Sequence, residues 1–174
     1  MLRAAAYAPP PETPDRDHPF WLATGRTIHH FHTRTNTGRV PQLDAAAPDV
    51  WVEVSSADAG RLGLAEGDLA EVGSPRGTVH ARVRVSGTRP GVLFLPFHYG
   101  YWDVPGGAEG SGAHRAANET TITDWDPASK QPLFKTGIAG IRLTRRGDGR
   151  PAPAPSTAAS APVTGPAPPA ADGR

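Results

Sequence analysis

The chain has 174 residues, with 18 Lys and Arg against 17 Asp and Glu for a net charge of +1. That balance fits a single module with tails and supplies no broad electrostatic pull toward nucleic acid or an anionic membrane. The absence of cysteine removes disulfides, thiolate metal sites, iron–sulfur ligation and cysteine nucleophiles from this chain.

Residues 1–17, with Pro9, Pro10, Pro11 and Pro14, read as a disordered lead-in. They contain no apolar segment suited to secretion, so a cytoplasmic setting without membrane insertion is expected. The folded part is expected over residues 18–146.

Residues 24–39 hold three Arg, three His, five Thr and two Gly in 16 positions, with almost nothing to bury, so they cannot form a core strand. Thr24, Gly25 and Arg26 combine a hydroxyl, a backbone open to close approach and a planar five-donor fork, a set suited to phosphate. His30 and His32 would share one face of an extended strand, and His98 could add a third imidazole. No Asp or Glu lies between Thr24 and Gln42, which favours hydrogen-bonding roles over a metal site.

A strand is predicted from Trp51 to Val54. Ser55 or Ser56 then caps a short helix through Asp58, Ala59 and Leu62, with Gly63 placed to stop it. Leu69 to Val72 and the alternating Val79, Ala81, Val83 and Val85 read as a hairpin joined by the turn residues 73–77. Residues 91–95 form a continuous apolar run ended by Pro96, the pattern of a strand buried on both faces.

After that run come Phe97, His98, Tyr99, Tyr101, Trp102 and Asp103, a Gly-rich stretch over 104–112, and Asn118. Aromatic and amide groups at a barrel mouth offer a fused-ring heterocycle stacking faces and paired hydrogen bonds; packing that closes the barrel end is the other reading of the aromatics. Turn residues 126–135 bring Lys135, a point charge able to meet phosphate or a ring carbonyl, directly before a last strand at 138–143. Residues 147–174, 15 of 28 of them Ala or Pro, read as a disordered tail. Many short strands with turn signals point to a small closed barrel.

The blocks TGRTIHHFHTRTNTGRVPQL, VEVSSADAGRLGLAEGDLAEVGSPRGTVHARV, RPGVLFLPFHYG, AANETT and DPASKQPLFK, in this order, resemble the C-terminal molybdopterin-dinucleotide-binding domain of the molybdopterin oxidoreductases. The likeness is greatest to the nitrate reductase and formate dehydrogenase types. The resemblance implies a mainly β fold, a six-stranded double-psi barrel of the aspartate-decarboxylase-like type with one or two short helices.

It also implies a domain over residues 18–146 that clamps one arm of a bis(molybdopterin guanine dinucleotide) molybdenum cofactor shared with a partner chain. Thr24, Gly25, Arg26, His30, His32 and Thr33 match the family's main contact stretch. Its aromatic position falls on Phe97 or His98, its Asn on Asn118 and its Lys on Lys135. No residue matches as catalytic or as a metal ligand, so the chain is expected to act with a larger catalytic partner carrying iron–sulfur and molybdenum-binding lobes. The alternative is a double-psi barrel that binds protein or substrate, as in the N-terminal domains of some AAA ATPases, whose strand and helix block resembles residues 57–77.

Overall fold

The computed structural model describes residues 7–100 and 114–151. Tyr101, Trp102, Asp103, the Gly-rich stretch 104–112 and most of the Ala/Pro tail lie outside the described residues.

Six strands close a barrel: β1 (Phe20–Gly25), β2 (Trp51–Ser55), β3 (Leu69–Gly73), β4 (Thr78–Ser86), β5 (Val92–Pro96) and β6 (Gly137–Arg145). Their order around the barrel is β1-β5-β2-β4-β3-β6. β1 with β5 and β2 with β4 run parallel, while the β3–β4, β3–β6, β1–β6 and β2–β5 pairings are antiparallel. Closure removes the exposed sheet edges that six short strands would otherwise present. Two helices, α1 (Pro41–Ala46) and α2 (Ser56–Leu62), lie outside it.

Alternation along the strands sets the core. In β4 the side chains of Val79, Ala81 and Val83 are buried, and they meet Leu22, Val52, Val54, Val72, Leu93 and Leu95 in one cluster. Burying one such aliphatic side chain contributes about 1.5–3 kcal/mol. β5 differs from the continuous burial expected of its apolar run: Leu93 and Leu95 are fully buried, whereas Val92 and Phe94 are half-buried. A small barrel has one interior, so the second face of β5 becomes outer surface.

Two elements escape the sequence reading. β1 runs directly into the polar stretch, so its alternation of buried Phe20, Leu22 and Thr24 covers only six residues. α1 has Pro41 at its first turn and no side-chain cap; the ion pair between Arg34 and Asp44 ties it to the preceding loop.

α2 forms where the capping residues place it. The Ser55 hydroxyl accepts from the Asp58 amide at 3.0 Å, and Gly63 closes the helix at φ 64°, a left-handed conformation that glycine adopts without strain. The Asp58 carboxylate accepts from Ser55 Oγ (2.7 Å), Arg61 (2.9 Å) and the Gly91 amide (2.8 Å). One buried carboxylate thus braces the capping serine and fixes the entry to β5.

The approach to β1 departs from a structureless lead-in. Glu12 pairs with both terminal nitrogens of Arg76 at 3.0 and 2.8 Å and accepts from the Ile138 amide at 3.0 Å. A charged side chain that satisfies a strand amide has a reason to be ordered, which Pro-rich composition does not register.

Burial opposes ionisation of Asp58, but hydrogen bonds from Arg61, Ser55 and Gly91 outweigh it and hold the carboxyl below its ordinary 3.8. Its stabilising contribution is therefore complete above about pH 4 and declines as pH falls below that value. Asp58→Ala is expected to lower the unfolding free energy by roughly 2–4 kcal/mol, because buried donors lose their acceptor. Urea denaturation at neutral pH measures the loss, and repeating it under acid should show a shallower decline in the variant.

Candidate functional site

The register of β1 on β5 runs from Trp21 opposite Val92 to Gly25 opposite Pro96, so the two parallel strands end at the same level. The Phe97 amide continues the pairing by donating to the Gly25 carbonyl at 3.2 Å. Everything that follows either strand therefore emerges at one end of the barrel. Ligands of parallel sheets commonly sit at such carboxyl ends.

Gly25 is required by the space around it. A Cβ there would lie 2.6 Å from Phe94 Cε2, so a side chain would force the ring aside. The result is bare backbone at the strand end. Arg26 follows, exposed, with its guanidinium 5.9 Å from the Phe97 ring centroid, and the His32 ring lies 6.0 Å from Phe97 on another side. His32 sits at φ 48° and Arg34 at φ 66°, two left-handed residues that turn the loop. The Thr33 and Thr35 hydroxyls bond each other at 2.8 Å.

Beneath this exposed layer lies a buried one. His30 is 2% exposed. Its Nε2 donates to the Ala47 carbonyl at 3.1 Å, and its Nδ1 lies 3.2 Å from the Thr37 hydroxyl. Both nitrogens are used within the chain, so His30 supports the loop from below. The Tyr99 hydroxyl donates to the same Ala47 carbonyl at 2.7 Å, and the guanidinium carbons of Arg34 and Arg115 stand 4.9 and 5.5 Å from the Tyr99 ring centroid. Burial pushes the Tyr99 hydroxyl up to about 12.

His98 packs between His30 (5.1 Å between ring centroids) and Tyr99 (4.5 Å). It is 3% exposed, and neither ring nitrogen has a hydrogen-bond partner. The sequence pairs Phe97 and His98 as one aromatic position; the structure puts Phe97 at the surface beside Arg26 and His98 in the interior.

Thr24 is buried, and its hydroxyl donates to the Phe134 carbonyl at 3.2 Å, which brings the backbone before the exposed Lys135 to the end of β1. Asn118 is exposed on a 3-10 turn, Ala117–Thr120. That turn is tied to the β3–β4 hairpin and not to the Arg26 group: Arg76 in the hairpin donates to the Thr120 carbonyl at 3.3 Å. Among the described residues no group of three or more His, Cys, Asp or Glu is arranged to hold a metal.

A cleft of about 400 Å³ opens beside Arg26 on the outer face of the barrel, with Thr27 and His29 at its rim and Phe94, Trp51 and Glu53 among its lining. The Thr27 hydroxyl is buried and has no hydrogen-bond partner. Sequence reading missed Phe94 and Glu53 here; the alternation of β5 and β2 was the available signal. The sequence reads β5 as buried on both faces and β2 only as a strand, so their outward residues carry no role there.

Comparison with known proteins agrees with this geometry. A family profile described as the Molydopterin dinucleotide binding domain matches residues 20–138. A nitrate reductase of Symbiobacterium thermophilum is 36% identical over 148 residues, 83% of this chain and 18% of that protein. The solved structure of acetylene hydratase from Pelobacter acetylenicus superposes with a TM-score of 0.63 at 23% identity, covering 72% of this chain and 18% of the other. The chain thus spans less than a fifth of each relative. The match over most of the barrel leaves the protein-binding alternative unfavoured. No helix among the described residues is long and apolar enough to cross a membrane.

Burial, with His30 and Arg34 nearby, lowers His98 from 6.5 to about 4. A histidine depressed in the folded state binds its proton more readily when unfolded. Stability should therefore be full above pH 6.5 and fall as pH drops toward about 4, where the slope ends. His98→Phe is expected to remove that part of the slope. Denaturation across this range, with the ring followed by NMR, checks it; titration of His98 near 6.5 would contradict the assignment.

Proposed function

Because the chain belongs to the molybdopterin dinucleotide binding domain family, matched over residues 20–138, we propose that it grips a molybdopterin guanine dinucleotide. It does so as the C-terminal module, or a separate small subunit, of a nitrate-reductase-like molybdoenzyme. The carrying observation is the convergence at the carboxyl ends of β1 and β5. There a glycine whose side chain would displace Phe94, an exposed guanidinium and an exposed histidine gather around Phe97.

This chemistry fits the group. A pyrophosphate needs backbone that it can approach and a planar multi-donor cation, which Gly25 and Arg26 supply. The unpartnered, buried Thr27 hydroxyl beside Arg26 is a further polar atom whose missing bond a ligand would complete. In this reading Thr24 and Gly25 present backbone, and Arg26 carries the countercharge. His32 and Thr33 hydrogen-bond toward the pterin, and Phe97 offers a ring face. Lys135 and Asn118 add a charge and an amide from neighbouring turns. His98 stands behind Phe97 with two free nitrogens, and His30 holds the loop in place.

When bound, the metal-loaded dinucleotide supplies the redox chemistry; this chain binds and orients it and contributes no catalytic side chain. The partner in this reading is a larger catalytic chain with iron–sulfur and molybdenum-binding lobes, in the cytoplasm, and substrate choice would lie with that chain. The 18% share of each relative covered here supports a partner of that size.

The test is to express the tagged chain in a host that makes the guanine dinucleotide cofactor and to quantify retained pterin, GMP, molybdenum and co-purifying protein. Arg26→Ala should lower retained pterin and GMP by roughly tenfold or more, the worth of one charge-assisted contact. The melting temperature should not change, since Arg26 is exposed. A wild-type chain that takes up no pterin, or equal retention by the variant, would overturn the reading.

A further inference from the structure

We propose that Glu12 and Arg76 are positioning residues for the dinucleotide, acting through the two turns that carry Asn118 and Lys135. The inference rests on the ligand roles given to those two residues above. Its geometry is independent of them.

Arg76 lies exposed in the β3–β4 turn, with its side chain partly covered. One side of its fork meets Glu12 in a two-point pair, NH1 to Oε2 at 3.0 Å and NH2 to Oε1 at 2.8 Å. Nε and NH2 each also donate to the Thr120 carbonyl at 3.3 Å. Thr120 is the last residue of the 3-10 turn that bears Asn118, and it is fully buried. The guanidinium is thus a bracket between the N-terminal approach and the Asn118 turn. A lysine cannot reproduce it, because a single ammonium lacks the rigid fork that satisfies two partners at once.

The hairpin and the turn also touch directly. A Cβ on Gly77 would lie 2.8 Å from the Glu119 carbonyl oxygen, a backbone atom that cannot swing aside. Glu12 reaches the second turn as well: its Oε1 accepts from the Ile138 amide at 3.0 Å, three residues beyond Lys135 and at the start of β6. One carboxylate therefore fixes two segments, each contributing one exposed residue of the candidate site. The Lys135 segment is also held to the end of β1 by the Thr24 hydroxyl on the Phe134 carbonyl, and Arg115, two residues before the Asn118 turn, bonds Asp49 and the Pro48 carbonyl, so Arg76 and Glu12 add a second hold to each segment. Glu12 precedes the family match at residue 20, so the chain leading into the barrel takes part in shaping its ligand face.

The two positions separate experimentally. Glu12→Ala frees the Ile138 amide and takes away the carboxylate that orients Arg76 toward Thr120, whereas Arg76→Lys keeps a cation beside Glu12, leaves the Ile138 bond in place and loses the bracket to Thr120. Amide hydrogen exchange of the full chain should show Glu119 and Thr121 exchanging roughly tenfold faster or more in both variants, the equivalent of a charge-assisted hydrogen bond. Ile138 should be faster only in Glu12→Ala, and amides of β2 and β4 should be unchanged in both.

Gly77→Ala, which pushes the same turn without touching the ion pair, should repeat the Arg76→Lys pattern. Cofactor retained from the producing host should fall in all three. Unchanged exchange at Glu119 and Thr121, or uniform acceleration across the barrel, would overturn the bracket. Faster exchange with full cofactor retention would overturn its role toward the ligand. If the wild type retains no cofactor, the exchange pattern still decides the bracket, and the failure lies with the reading of function.

Discussion

Two donors converge on the carbonyl of Ala47, the His30 Nε2–H at 3.1 Å and the Tyr99 hydroxyl at 2.7 Å. The three residues belong to the polar loop after β1, the end of α1 and the segment after β5. One buried acceptor therefore joins pieces of chain 17 and 52 residues apart. The loop over 26–40 leaves its large apolar side chains, Ile28, Phe31 and Val40, exposed, so their burial does not hold it over the barrel end. Hydrogen bonds to a buried carbonyl do, because leaving any of these groups unpaired in the interior costs about 1–3 kcal/mol. The Arg34 guanidinium against the Tyr99 ring and the ion pair to Asp44 close the same knot.

That knot explains why neighbouring residues of similar chemistry have opposite fates. His30 and His32 are two apart, yet one is locked in the interior and the other exposed beside Phe97 and Arg26. The left-handed conformations of His32 and Arg34 turn the chain so that a supporting histidine, a displayed histidine and a buried arginine succeed one another. Phe97 and His98 divide in the same way in the turn that follows β5, Phe97 half-buried and His98 in the interior. The candidate site is accordingly two layers: a buried one of His30, His98 and Tyr99 that sets positions, and an outer one of exposed Arg26, His32 and Thr33 with half-buried Phe97. A net charge of +1 leaves anion attraction to this local grouping.

The barrel supplies the platform, and its two parallel pairs matter most. Because β1 and β5 start and stop in register, the loop after one and the segment after the other emerge together without further adjustment. Antiparallel neighbours would send successive connections to opposite ends. The Lys135 turn meets the end of β1 through Thr24, while the Asn118 turn is held to the β3–β4 hairpin through Arg76, itself paired with Glu12. Membership in the molybdopterin dinucleotide binding family and the likeness in fold to 18% of a larger solved chain agree with such a platform.

Local chemistry made several elements readable from the sequence. Strict alternation over residues 79–85 specified β4, the turn residues 73–77 specified its hairpin with β3, and Ser55 with Gly63 bounded α2, since caps and turns depend on neighbours within a few positions. The polar run at 24–39 marked most of that stretch as loop, because residues with almost nothing apolar to bury do not build a core strand. Tertiary structure decided the rest. It made β1 a strand by pairing it with β5, turned the outer face of β5 into a cleft wall, and ordered Glu12 against Arg76 and Ile138. It also chose which histidine is support and which is display. Those outcomes depend on partners 17 to 126 residues away, and a pairing at that distance is fixed by closure of the barrel and not by any local pattern.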